Sequence, residues 1–542
     1  MFRSRIYYCM TLLLVLSACG SSQHKEHNVF HMNMSGKALE SLDPAFAKDQ
    51  YMMWTANMLF NTLVATDSNL HLVPSLAKSW TMSPDGLSYT FILRNDVYFH
   101  DNPAFEGGKG RKMTAADVVY SFNRVIDPAT ASPGAWIFND RVTAQNPFVA
   151  IDDTTFVIHL LRPFRPLPEI LSMQYCSIVP HEVVGKWGKD FRTHPCGTGP
   201  FMFELWDEGN MLILHKNPGY HEQDDNSTSL PYLDAVKISF TTSKASEFFR
   251  FLQGELDFVN ELDGSFKDLV LTKKGELKEE YKDKLVLSKR TYLNTEYLGF
   301  LTDTTNALLT NSPVKNVLVR QAMNYAVDRQ KIVTYFRNGI GIAATSGFIP
   351  AGMPGYDSAH SYGYHYNPAK AAELLEQAGY PGGKGLAPIT VLTPDIYADI
   401  VNFVANQLQA VGIPVEVEIM QSNILRQQMS KSEAIFFRGQ WIADYPDAET
   451  YLVFFNGNLP APPNYTRFNH PQFNSWYDEA MLAQNDSTRW TLYRNMDSLV
   501  MQNAPVIPLF YDQMTHFISP RVSGFAATPM NVIDLKRVQL KD

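Results

Sequence analysis

Residues 435–447, read Ile-Phe-Phe-Arg-Gly-Gln-Trp-Ile-Ala-Asp-Tyr-Pro-Asp, hold the side chains best placed to do chemistry. The apolar run predicts a buried strand that ends in Trp441, and Pro446 stops further pairing. Asp444 then stands just past the carboxyl end of that strand, where open α/β sheets take their ligands. Arg438 lies six residues earlier, so the segment offers one anion and one cation. That pair suits a zwitterion such as a short peptide. A buried ammonium requires a carboxylate partner, and a planar guanidinium can grip both oxygens of a carboxylate. Each residue also has a plainer reading: Asp444 as a turn cap before Pro446, Arg438 as half of a structural ion pair on the other strand face, and Trp441 as core.

Catalytic constellations are weak by comparison. His181-Glu182-Val183-Val184 opens like a zinc-protease helix, but Gly185 stands where the second ligand belongs. Residues 107–112 lack the spacing and the Ser/Thr of a phosphate loop. Asp444 and Asp447 sit three residues apart around a proline turn, which gives no facing pair of carboxylates. The His residues are scattered rather than set at metal-ligand spacing. No enzyme activity, metal or cofactor is therefore expected.

The chain that must position these groups has 542 residues, too many for one core, so two or three lobes are expected. It is 45% hydrophobic and 19% charged with net charge −9, and it has no basic cluster of the nucleic-acid-binding kind. Arg3 and Arg5 precede a short apolar run at residues 10–16, and Leu16-Ser17-Ala18-Cys19 resembles a bacterial lipobox. The expectation is a lipoprotein signal over residues 1–19, lipid on Cys19, and a leash over 20–28. No later segment reaches the ~18–20 apolar residues of a membrane span. Once Cys9 is removed and Cys19 lipidated, Cys176 and Cys196 remain. They either bridge, worth about 3 kcal/mol in the loop-entropy picture, or stay as two buried thiols.

Residues 61–187 read as a mostly antiparallel unit, with a helix capped at Thr114 and carrying Asp117 in its first turn. Residues 197–215 read as a turn and hairpin. One long helix is expected over 319–336 and another over 368–378. A βαβ unit follows at 389–420, with the Arg438 strand directly after it.

Several of these segments resemble the peptide/nickel class, family 5, of extracellular solute-binding proteins serving ABC importers. They are Ser41-Leu42-Asp43-Pro44, Pro74-Ser75-Leu76-Ala77-Lys78-Ser79-Trp80, Thr114-Ala115-Ala116-Asp117-Val118, Gly197-Thr198-Gly199-Pro200-Phe201, Gly254-Glu255-Leu256-Asp257 and Trp441-Ile442-Ala443-Asp444-Tyr445-Pro446-Asp447. The resemblance implies an α/β, two-lobed periplasmic-binding-protein-like fold of the cluster C type, with an extra subdomain and a ligand cleft between lobes. Lobe I would comprise 29–60, 188–289 and 509–542, the extra subdomain 61–187, and lobe III 290–508. In peptide-binding members, the residue at the Asp444 position pairs with the peptide ammonium, that at Arg438 helps hold a carboxylate, and Trp441 lines the cleft. The segment holding Lys48, Asp49 and Gln50 would run beside the peptide backbone.

The sequence departs from relatives at 298–317 and at Lys48–Gln50, which leaves the ligand open: a short peptide, or a nickel chelate, haem or oligosaccharide, or a peptide that is sensed rather than imported. The implied protein is a monomer in the bacterial cell envelope, lipid-anchored, facing the periplasm, and partnered by an ABC permease.

Overall fold

The computed structural model describes residues 28–34, 39–262 and 264–541. The leader and Cys19 lie outside them. Among the described residues no helix is long and apolar enough to cross a membrane.

One eleven-stranded sheet runs through the molecule. At one end Val415–Ile419, Ile389–Thr393 and Phe436–Ile442 lie parallel, joined by crossover helices. At the other end Val29–Met34 pairs in parallel with Ala235–Phe240, and the hairpin Phe201–Asp207/Met211–Lys216 extends the edge. Two long antiparallel strands, Val286–Phe300 and Val506–Ile518, join these halves. Their register slips between Thr291 and Thr295 and again at Glu296/Tyr297. Asn294 to Phe300 pairs with the Arg438 strand, whereas the far end of Val506–Ile518 pairs with Phe258–Asn260. Two strands irregular at their middle and anchored at opposite ends are the connection a two-lobed protein needs.

A separate four-stranded antiparallel sheet, Ala77–Met82, Ser88–Leu93, Thr155–His159 and Phe148–Ala150, forms the subdomain core with the helix Ala115–Ile126. That helix starts at the expected cap, Thr114, with Asp117 in its first turn, and the two close a capping box.

Two expectations are corrected. The helix expected over 319–336 is two, Val317–Ala326 and Arg329–Phe336. Val327 leaves helical geometry, and the Asp328 carboxylate caps the second helix by accepting from Lys331 N–H at 3.0 Å. The break lets the buried Arg329 guanidinium reach the carbonyls of Asn324, Tyr364 and Pro508. Second, the Arg438 strand does not follow directly on Val415–Ile419, because the helix Ser422–Ser430 intervenes. Its buried stripe is only Leu425 and Met429, one i, i+4 pair, too short to show as periodicity.

Candidate functional site

Strand alternation divides the informative segment between two faces. Phe436 stacks on Phe300 with ring centroids 4.6 Å apart, which places Arg438 and Gln440 on that same face. Phe437, Gly439 and Trp441 occupy the other. Gly439 has no room for a side chain: a Cβ there would lie 2.5 Å from Tyr297 Cζ. Trp441 packs on Phe454 at 4.3 Å, and its indole N–H points at Thr450 Oγ1, 3.4 Å away. The Asp444 backbone N–H donates to the same hydroxyl at 3.3 Å. Thr450 thus ties the turn after the strand and leaves the Asp444 side chain uncommitted.

Asp444 borders two cavities. One, of about 110 Å³, is walled by Asn57 and Asn61 at the end of the helix Gln50–Leu59, by Gln174 of the subdomain, and by the Glu222–Lys536 ion pair. The other, of about 930 Å³, lies between the subdomain and the C-terminal strand ends and is lined by Trp136, Arg141, Arg162 and Trp441 among others. Ligand pockets commonly fall in this size range. Among the described residues none donates a hydrogen bond to the Asp444 carboxylate or forms an ion pair with it. The side chain is solvent-exposed, yet protein surrounds it on the cleft walls. That poor hydration pushes its pKa up to about 6, with Glu449 adding repulsion and Arg141 opposing it.

Behind Asp444 lies a buried acidic layer. The hydroxyls of Tyr445 and Tyr477 both donate to Glu449, whose pKa is raised by burial. Asp447 accepts from Tyr493 at 2.8 Å and pairs with Arg489 at 2.8 Å. Arg489 also binds Glu169 of the subdomain at 2.8 Å. These side chains are held by one another, whereas Asp444 is exposed and borders both cavities. Among the described residues no three His, Cys, Asp or Glu side chains group as a metal site.

The family described as bacterial extracellular solute-binding proteins, family 5 Middle, matches residues 71–462, well over half of the chain. The chain belongs to family 5 of the bacterial extracellular solute-binding proteins. This family provides the solute-binding subunits of ABC importers. The glutathione-binding protein GsiB of Escherichia coli O157:H7 is 26% identical over 504 residues, 91% of each chain. HbpA2 from Haemophilus parasuis superposes with a TM-score of 0.83 at 24% identity, covering 95% of this chain and 100% of that one. The ABC transporter-associated periplasmic binding protein DppA from Helicobacter pylori, in complex with the peptide STSA, gives 0.68 at 26% identity, covering 95% and 98%. The two-lobed α/β fold is therefore shared with family members.

Within this family 5 fold, the other anticipated residues have partners of their own. Arg438 is not free: its guanidinium makes a bidentate pair with Glu296, bonds Gln440 at 2.7 Å, and lies 3.3 Å from the Tyr397 ring centroid. It borders neither cavity at Asp444. Asp49 caps the helix Gln50–Leu59, accepting from Tyr51 and Met52 N–H at 3.0 Å. Lys48 pairs with exposed Glu40, and Gln50 reaches the Asn531 carbonyl at 3.4 Å. None of the three lines either cavity. Asp49 still contributes to the site's field, because it and Asp444 both help burial raise the pKa of Tyr175 to about 12. A Cys176–Cys196 bridge is not formed; both are buried free thiols. The Cys176 thiol faces the Ile170 carbonyl at 4.0 Å and the Cys196 thiol the His100 carbonyl at 3.4 Å, so each is committed locally.

Sequence reasoning missed Arg141, Arg162, Trp136 and Glu449. Trp136 comes from the short 3-10 helix Pro133–Ile137 and the two arginines from loops, none with periodicity, and only their types, cations next to an aromatic, offered a signal. Glu449 was visible only as a neighbour of Asp447.

Proposed function

We propose that this family 5 protein captures short peptides, takes their ammonium on Asp444, and delivers them to an ABC permease while tethered by a lipid on Cys19. The observation that carries this reading is the Asp444 carboxylate: unpaired within the protein and shared by two cavities. An ammonium placed there gains a charge-assisted partner. Trp441 provides an apolar wall beside it. A peptide's backbone donors and acceptors can be satisfied along a cleft whatever its side chains. Arg438, already neutralised by Glu296, acts by holding its strand rather than as a free cation. Relatives named for glutathione and solved with a peptide bind ligands of this zwitterionic type.

A thermal-shift screen of protein lacking residues 1–19, unfolded and refolded to strip carried ligand, tests the reading. Stabilisation by di- to hexapeptides but not by their N-acetylated forms is expected. Stabilisation only by an oligosaccharide or a nickel chelate would keep the fold and remove the peptide assignment.

A further inference from the structure

Among the described residues nothing donates a hydrogen bond to the Asp444 carboxylate, so side-chain contacts do not fix its aim. The backbone of its turn must do so, and a binding group is only as precise as the shell that supports it. The pivot of that turn is Asp447. Its Oδ1 accepts from Glu449 N–H at 2.9 Å and from the Tyr493 hydroxyl at 2.8 Å, and its carbonyl accepts from Thr450 N–H at 3.2 Å. Thr450 Oγ1 in turn accepts from Asp444 N–H. Residues 444–450 are thus closed around one buried carboxylate.

That carboxylate is anchored from the subdomain. Asp447 Oδ2 pairs with Arg489 Nη1 at 2.8 Å, and Arg489 Nη2 donates to Glu169 Oε1 at 2.8 Å. Arg489 comes from the helix Asp486–Asn503, whereas Glu169 lies in the short helix Leu167–Ile170 of the subdomain. All three side chains are buried, so water screens these charges weakly. A second contact runs alongside. Trp136 of the subdomain lies against Tyr445, the residue after Asp444, with ring centroids 6.4 Å apart, and the Tyr445 hydroxyl donates to Glu449. Asp486, the third acid on Arg489, is solvated and lies outside this path.

Packing alone does not call for buried charges here, because apolar side chains of the same shape hold two surfaces together as well or better. What an ion pair adds is direction, since a guanidinium and a carboxylate prefer a defined geometry. Resting on the peptide reading above, we propose that Glu169 and Arg489 are positioning residues: acting through Asp447, they aim the Asp444 carboxylate at the ligand ammonium and give the subdomain a part in ligand selectivity. The consequence falls on discrimination. A misaimed carboxylate loses affinity for a free peptide, while a peptide without an ammonium binds as before.

Calorimetric titration of the wild type, Glu169→Gln, Arg489→Met and Asp486→Asn with a free tripeptide and its N-acetylated form tests this, at a temperature where circular dichroism shows each protein folded. The wild type should prefer the free form by at least about 10-fold, the worth of one charge-assisted contact. Glu169→Gln keeps the side-chain shape and should lower that preference about threefold or more, part of the same contact. Arg489→Met should bring it close to one. Affinity for the acetylated peptide should hold in both, and Asp486→Asn should keep the wild-type ratio. A loss of stability alone cannot move the ratio, because one folded population binds both peptides. A wild-type ratio in Glu169→Gln would overturn the positioning role even if Arg489→Met does not fold, and would leave the peptide reading intact. A wild type that does not distinguish the two peptides would overturn both.

Discussion

Arg438 and Glu296 close a bidentate ion pair diagonally across adjacent antiparallel strands, with side chains only 8% and 3% exposed. Removing one partner strands the other as a buried charge. Arg438→Met should therefore cost about 3 kcal/mol or more. Arg438→Met combined with Glu296→Met should recover most of that loss, because apolar replacements of a buried pair are often neutral or better. Urea denaturation of the wild type and the two variants checks this; a double variant as unstable as the single would contradict it.

Affinity should depend on pH through Asp444. Its carboxyl, raised to about 6, takes up a proton as the pH falls through that value. The bound ammonium needs the ionised form, so proton and ligand compete. Peptide affinity should be greatest near pH 7, above the Asp444 value and below the range of about 7.7–8.0 in which the terminal ammonium is half titrated. Below pH 6 it should weaken by up to about tenfold per unit. Calorimetry at pH 5 and 7 measures this, and an unchanged affinity would remove Asp444 from the ammonium site.

Arg489 should be a stability determinant that joins the subdomain to the C-terminal half. It pairs with buried Asp447 and Glu169 and with Asp486, whose side chain is 46% exposed. Arg489→Met leaves two buried carboxylates unpaired and should cost about 3 kcal/mol or more. Asp486→Asn removes only the solvated partner and should cost under about 1 kcal/mol. Chemical denaturation should rank them in that order; comparable losses would contradict the buried-pair argument.

Asp497 supplies a pH effect on stability. It is buried, accepts from Phe348 N–H at 2.8 Å and Ile349 N–H at 3.4 Å, and burial raises its pKa to about 7. The native state thus keeps a proton that the unfolded chain releases near pH 4. The contribution to stability is full below pH 4 and is lost as the pH rises through 7. Asp497→Asn should gain stability relative to the wild type between pH 5 and pH 8. Melting temperatures at the two values test this, and a constant difference would show that Asp497 is ionised in the fold throughout.

Much of the scaffold was legible because its signals are local. The capping box at Thr114, the βαβ pattern at 389–420 and the strand carrying Arg438 all follow from short-range pattern. The position of Asp444 was legible for a related reason: a carboxylate beyond a strand end needs only the strand to be found. Arg438 was not, because alternation gives two faces without saying which meets the ligand, and its partner Glu296 is 142 residues away. Arg141 was illegible because it stands in a turn, between a left-handed Asp140 and the Val142–Leu160 bridge, with no periodicity to place it. The cysteines were left open between a bridge and two buried thiols: an even count in an oxidising compartment permits a bridge, but only the packing around each sulfur decides it.

The most direct test of the account is a coupling measurement by titration calorimetry, with wild type and Asp444→Asn each titrated with a free tripeptide and its N-acetylated form. If Asp444 holds the ammonium, acetylation should weaken binding to the wild type by at least about 10-fold. Asp444→Asn should bind both forms weakly and almost equally. A variant that still discriminates the free from the acetylated peptide as strongly as the wild type would contradict the central claim.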